Sequence, residues 1–103
     1  MFIARWCIDA RFGHKQTVID LLQKWEREIG REVGTAEMKM QILTGSIGAR
    51  EATVETNHTV ESLAQLEQFF ASLAKMDAHK QWGKDMEPYV VSGSAYWSIY
   101  RVV

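Results

Sequence analysis

The side chains best equipped for chemistry in this chain are three histidines, one cysteine and four tryptophans. His79 is the titratable residue of most interest, because Met76, Trp82 and Met86 surround it in sequence. Trp6, Trp25, Met76, His79, Trp82 and Trp97 are the candidates for lining a pocket, since ligand sites are mostly apolar with a few polar groups. The same tryptophans could instead fill the core, with their indole N–H groups bonded to backbone, and methionine suits either role. His14, His58 and His79 show no i,i+4 or other metal-ligand spacing, so no metal site is expected. Cys7 has no partner for an internal disulfide or a multi-cysteine metal knuckle. Thiolate chemistry needs an accessible, electropositive setting, and Asp9 offsets the nearby Arg5, so Cys7 reads as structural. Glu51 and Glu55 share a strand face but stand too far apart to share a proton, and no sugar-binding aromatic platform accompanies them.

Positioning these residues requires elements, and the pattern of apolar residues supplies them. Residues 2–12 alternate, with Phe2, Ala4, Trp6, Ile8, Ala10 and Phe12 on one side, which predicts a strand. From His14 to Ile29 the apolar positions Val18, Leu21, Leu22, Trp25 and Ile29 draw one helical stripe, with Gly30 and Gly34 as competing stops. Met38, Met40 and Ile42 begin a second strand, Thr44–Gly48 reads as a hairpin connection, and Ala52, Val54 and Thr56 form a third strand. His58 then follows that strand. Ser62 and Gln65 form a capping box ahead of Leu63, Leu66, Phe69, Phe70, Leu73 and Met76 at helical spacing. Asp77 caps one further short turn carrying His79 and Trp82, Pro88 closes the region, and residues 94–103 form the last strand.

The order β-α-β-β-α-β is the split βαβ, or ferredoxin-like, arrangement: an α+β fold with both helices on one face of a four-stranded antiparallel sheet. At 103 residues the chain holds one domain, 1–103. It is 47% hydrophobic and 24% charged with a net charge of −1, which argues against a nucleic-acid platform or an anionic-membrane binder. The uncharged runs fall short of the ~20 residues of a membrane helix. Arg5 and Asp9 interrupt the stretch that a signal peptide keeps apolar, so a cytoplasmic protein is expected.

The far face of the predicted sheet carries Arg5, Cys7, Asp9, Glu55, Tyr96 and Tyr100, together with Ile3 and Leu43. It is either a solvated surface, as many antiparallel sheets have, or the seat of a second copy. In the second case Arg5, Asp9 and Glu55 pair inside a shared barrel, because buried charges must be partnered. Those six residues are the candidates for a homodimer interface.

The chain resembles the dimeric α/β-barrel superfamily and, within it, the small NIPSNAP-like proteins. The resemblance is carried by Glu61-Ser62-Leu63-Ala64-Gln65-Leu66, Phe70, Trp82, Glu87-Pro88-Tyr89-Val90 and Ser98-Ile99-Tyr100-Arg101. It implies a homodimer whose two sheets form one barrel, and a protein without an assigned activity that binds a small apolar or aromatic molecule. Other users of the topology are rejected. Residues 50–56 lack the base-stacking aromatics of an RNA-recognition motif. There is no C-x-x-C of a metal chaperone, and Phe12-Gly13-His14-Lys15 is not an acylphosphatase loop.

Two enzymatic alternatives come with the resemblance. Cofactor-independent monooxygenases of the superfamily bind a polycyclic phenol between sheet and helices. Haem-degrading members bind haem through a histidine where Ala78-His79-Lys80 stands here, but they also use an asparagine and a tryptophan where this chain has Trp6-Cys7-Ile8 and Phe69-Phe70. No resident cofactor is expected, with haem as the lesser alternative. The third alternative is a structural or interaction protein with no ligand.

Overall fold

The computed structural model describes residues 1–103. Strand β1 spans Phe2–Asp9, helix α1 Lys15–Glu28, β2 Gln41–Thr44, β3 Thr53–Val60, α2 Leu63–Ala74, α3 Asp77–Met86 and β4 Tyr96–Arg101. Short 3-10 turns follow α1 (Gly30–Val33) and α3 (Glu87–Tyr89). The sheet order is β2-β3-β1-β4 with every neighbouring pair antiparallel, and this is the ferredoxin-like α+β fold. No helix is long and apolar enough to cross a membrane.

Alternation builds the sheet's two faces. Ala4 and Ile8 of β1, with Val54, Thr56, His58 and Val60 of β3, are buried beneath the helices. Val18, Leu22 and Trp25 of α1 and Leu66, Phe69 and Leu73 of α2 close over them. Ser62 caps α2, its Oγ accepting from the Gln65 N–H at 3.1 Å. The Gln65 side chain accepts from the Glu61 N–H, one residue before the cap, at 2.7 Å, so the capping box closes one position early.

Several boundaries differ from the sequence reading, each for a physical reason. Strand β1 ends at Asp9, because the chain turns through Gly13 at φ 85° into α1, and Phe12 is left fully exposed. Neither glycine alone ends the first helical region: α1 stops before Gly30, and the 3-10 turn runs on to Gly34, which takes φ 104°. β2 begins only at Gln41. Lys39 at φ 51° breaks the extended chain, and Met38 is buried from a turn rather than from a strand. The hairpin after β2 depends on Gly45, where a Cβ would collide with the Arg50 carbonyl.

β3 runs four residues past Thr56, which places His58 inside the strand instead of after it. The short turn expected after Asp77 is a ten-residue helix, α3. Met76 holds its cap position and Asp77 sits in its first turn, where a carboxylate suits the helix dipole. Trp97 and Ile99 face the helical side, opposite Trp6 and Ala4, yet remain 39% and 40% exposed. β4 is an edge strand that the helices cover only in part: Phe70 of α2 reaches Trp97, while much of the strand's inner face stays open.

Candidate functional site: an aromatic cavity between sheet and helices

Where the helices diverge above the sheet they leave a cavity of about 360 Å³. All four tryptophans of the chain line it: Trp6 from β1, Trp25 from α1, Trp82 from α3 and Trp97 from β4. Phe69 and Phe70 from α2 complete the aromatic wall, and Leu22, Met40, Leu73 and Ala74 fill between the rings. The exposed members, Phe70, Ala74 and Trp97, mark its mouth. Apart from the indole N–H groups, the polar groups of the lining belong to Thr56, His58 and His79. Ligand sites commonly combine this volume, apolar wall and small polar set.

The rings form a connected network. Trp25 and Trp82 lie 6.0 Å apart between centroids, Trp6 and Trp82 6.3 Å, and Phe70 meets Trp97 edge-on at 5.0 Å. The Trp82 indole donates to the Leu21 carbonyl at 2.8 Å, which ties α3 to α1. The Trp25 indole donates to Nδ1 of His79 at 2.9 Å, and the His79 ring stacks on Trp82 at 5.9 Å with 16° between planes. Because an indole can only donate, Nδ1 of His79 must hold its lone pair, and the neutral ring carries its proton on Nε2. Burial lowers the pKa of His79 and so favours this neutral form.

His58 is the more deeply set imidazole, packed between Phe69 at 5.5 Å and Trp97 at 5.9 Å. Both its ring nitrogens are sealed from solvent without a hydrogen-bond partner. Desolvation pushes its pKa down to about 4; the backbone of Ala4 acts in the opposite sense without reaching hydrogen-bond geometry. His58 is therefore uncharged throughout the neutral range.

Of the pocket candidates read from the sequence, Trp6, Trp25, His79, Trp82 and Trp97 meet around this cavity. Met76 lies off it, packed against the core cluster around Trp25 and Phe69. His58, Phe69 and Phe70 were not among the candidates. The signal for His58 was available, since it extends the alternation of Val54 and Thr56 by one more step.

The opposite face of the sheet gathers the other candidates. Cross-strand pairing sets Cys7 between Glu55 and Tyr96, and Arg5 between Asn57 and Ser98. Arg5 donates to Asn57 at 2.9 Å, approaches Glu55 at 4.0 Å and lies over the Tyr100 ring at 5.7 Å. Asp9 is served within its own chain, by Arg50 at 2.6 Å and the Thr53 hydroxyl at 2.9 Å, and not by Arg5. Cys7 is buried and its thiol donates to Glu55 at 3.2 Å; burial first, and then Glu55, push its pKa up, which leaves it a poor nucleophile. No group of three or more histidine, cysteine, aspartate or glutamate side chains is placed to hold a metal ion.

No family model matches the sequence, and no curated relative matches it either. Solved structures do match the fold. A NIPSNAP family protein from Agrobacterium tumefaciens superposes with a TM-score of 0.74 at 15% identity, covering 99% of this chain and 92% of that one. An uncharacterised NIPSNAP-like domain protein from Burkholderia xenovorans gives 0.67 at 18% identity, covering 99% and 84%. A protein from Nitrosomonas europaea named as an antibiotic biosynthesis monooxygenase gives 0.69 at 9% identity, covering 100% and 99%. At such identities likeness establishes architecture: the chain has the ferredoxin-like α+β fold of NIPSNAP family proteins, and no specific function comes with it.

Proposed function

We propose that this protein binds a small, planar, apolar molecule in the cavity between sheet and helices, and that it works in the cytoplasm as a homodimer joined through the far sheet face. One observation carries the binding reading: every tryptophan in the chain lines a single cavity of about 360 Å³ that opens between Phe70, Ala74 and Trp97. A domain that needed these rings only as core would close over them, because interiors pack to the density of organic crystals.

The test is a titration with 1-aminoanthracene, an uncharged planar fluorophore that brightens in apolar surroundings. Saturable binding at one molecule per chain, with energy transfer from tryptophan, supports the reading. Ala74→Trp places a bulky side chain at an exposed helical position on the mouth and should abolish it. An Ala74→Trp protein that binds as well as the parent removes the cavity from consideration.

A second reading, an oxygenase that needs no cofactor, is prompted by the fold shared with the Nitrosomonas europaea protein and by the aromatic cavity. In this arrangement neither imidazole serves as its base, since both nitrogens of His58 are sealed and the lone pair of His79 accepts from Trp25. Oxygen uptake with anthrone-like phenols tests it, and no uptake above buffer counts against it. The residues do not fit haem. A metal-bound histidine donates its other ring N–H to a partner, whereas Nδ1 of His79 accepts from Trp25 and leaves the proton on Nε2, where iron needs a lone pair. No lysine or arginine lines the cavity to meet haem's carboxylates.

The dimer reading rests on the exposed apolar and amphipathic side chains of the far face, Leu43, Tyr96 and Tyr100, set around the half-buried Arg5–Glu55 pair. Covering them with a second copy by a two-fold axis removes that surface from water.

A further inference from the structure

The cavity's polar groups are not equivalent, and the difference specifies what its occupant must carry. Thr56 is buried on β3, and both nitrogens of His58 are sealed beneath neighbouring side chains, beyond the reach of a ligand in this arrangement. His79 differs. It is only partly buried, its Nδ1 is taken by the Trp25 indole at 2.9 Å, and its Nε2 makes no hydrogen bond within the chain and is not sealed from solvent. An indole cannot accept through its nitrogen, so the bond to Trp25 holds the imidazole in the tautomer with the proton on Nε2. Stacking against Trp82 further restrains the plane of the ring. The cavity wall thus presents, at His79, a donor whose tautomer and plane are both fixed by neighbouring rings.

We propose that the occupant is an uncharged planar aromatic bearing a hydrogen-bond acceptor, a carbonyl oxygen or a ring nitrogen, which receives the Nε2 proton of His79, and that Trp25 is the positioning residue that keeps that proton there. The inference rests on the binding function proposed above and narrows its ligand class. Molecules of the same size that can only donate are disfavoured, because a donor facing the Nε2–H leaves both groups unpaired. Charged analogues are disfavoured as well, since no cationic or anionic side chain lines the cavity to offset their desolvation.

The experiment compares three probes of similar shape by calorimetry at mildly alkaline pH, where all are uncharged: naphthalene, with no hydrogen-bonding group; quinoline, an acceptor; and indole, a donor. Quinoline should bind roughly two- to tenfold more tightly than either of the others, the range that one net hydrogen bond supplies. In Trp25→Phe the imidazole is free to exchange tautomers, and the quinoline-to-indole ratio should fall toward one. A long-range proton–nitrogen NMR spectrum of the unaltered protein reads the His79 tautomer directly and needs no variant to fold. Protonated Nε2 with unprotonated Nδ1 is expected.

Naphthalene and quinoline binding equally, indole binding more tightly than quinoline, or the opposite tautomer would each overturn the inference while leaving the cavity's binding function standing. Failure of all three probes to bind would remove both.

Discussion

His58 makes the stability of the fold depend on pH in a way that one substitution can isolate. Its ring is 2% exposed, sits between Phe69 and Trp97, and has a pKa lowered from 6.5 to about 4, chiefly by desolvation. In the unfolded chain the same ring protonates near its ordinary value. Between those two pKa values the unfolded state therefore binds more protons than the native state, and stability rises with pH across that window. The contribution is complete above 6.5 and is lost as the pH falls to about 4. A shift of this size corresponds to about 3 kcal/mol, a large part of the roughly 5–15 kcal/mol that holds a domain folded.

The perturbation is His58→Leu, which keeps an apolar side chain of similar bulk and removes both ring nitrogens. Because neither nitrogen has a partner, nothing is left unpaired, and near neutral pH the variant should be as stable as the parent or more stable. Urea unfolding of both proteins at a series of pH values is the assay. Every other ionisable side chain is common to the two proteins, so subtracting one curve from the other leaves His58. The variant should gain about 3 kcal/mol on the parent as the pH falls from neutral to 4. Parallel curves would show that His58 is protonated or solvated in the native state, and the deduction of a sealed, neutral imidazole would fail.

Three further outcomes follow from the geometry. Gly30→Ala would set a Cβ 2.8 Å from the Trp25 ring and 2.9 Å from Thr35, so it should cost about 1–3 kcal/mol by overpacking, read as a lower unfolding midpoint in urea. Leu43→Asp puts a carboxylate opposite Glu55 on the far face, where Leu43 is exposed in the single chain. It should leave the subunit folded by circular dichroism but shift sedimentation from dimer to monomer, and an unchanged dimer would place the interface elsewhere. Haem added to the protein should give no histidine-ligated Soret band, because the free nitrogen of His79 bears a proton; a band lost on His79→Ala would contradict that tautomer.

Much of the fold was legible because its signals are local. Alternation in β1 and β3 and the helical stripe through Val18, Leu22 and Trp25 each record which face a residue buries, and together they specify the topology. Sideways coverage was not legible. Trp97 and Ile99 alternate as core residues do, yet they sit on an edge strand that the helices cover only in part, and periodicity along a chain says nothing about its lateral neighbours. The second strand was read three residues too early because Met38 and Met40 alternate with Lys39 in a turn that also buries Met38.

For the site, the tryptophans were visible as residue types, but their convergence depends on where α3 docks. Phe69 and Phe70 read as absences, the places where another protein has a different aromatic, although in the structure they form part of the wall. Met76 was included for its nearness to His79 in sequence, whereas it holds the cap of α3 and turns toward the core.

Occupancy of the cavity can be read in a single proton–nitrogen correlation spectrum, in the region of the indole N–H groups. The chain has four tryptophans, all four line the cavity, and none lies on the far sheet face, so that region reports one place in the molecule. Titration with 1-aminoanthracene should move all four indole signals together to a common saturation point. Signals that stay fixed while the fluorophore binds would put its site elsewhere and contradict a ligand-binding cavity beneath the helices.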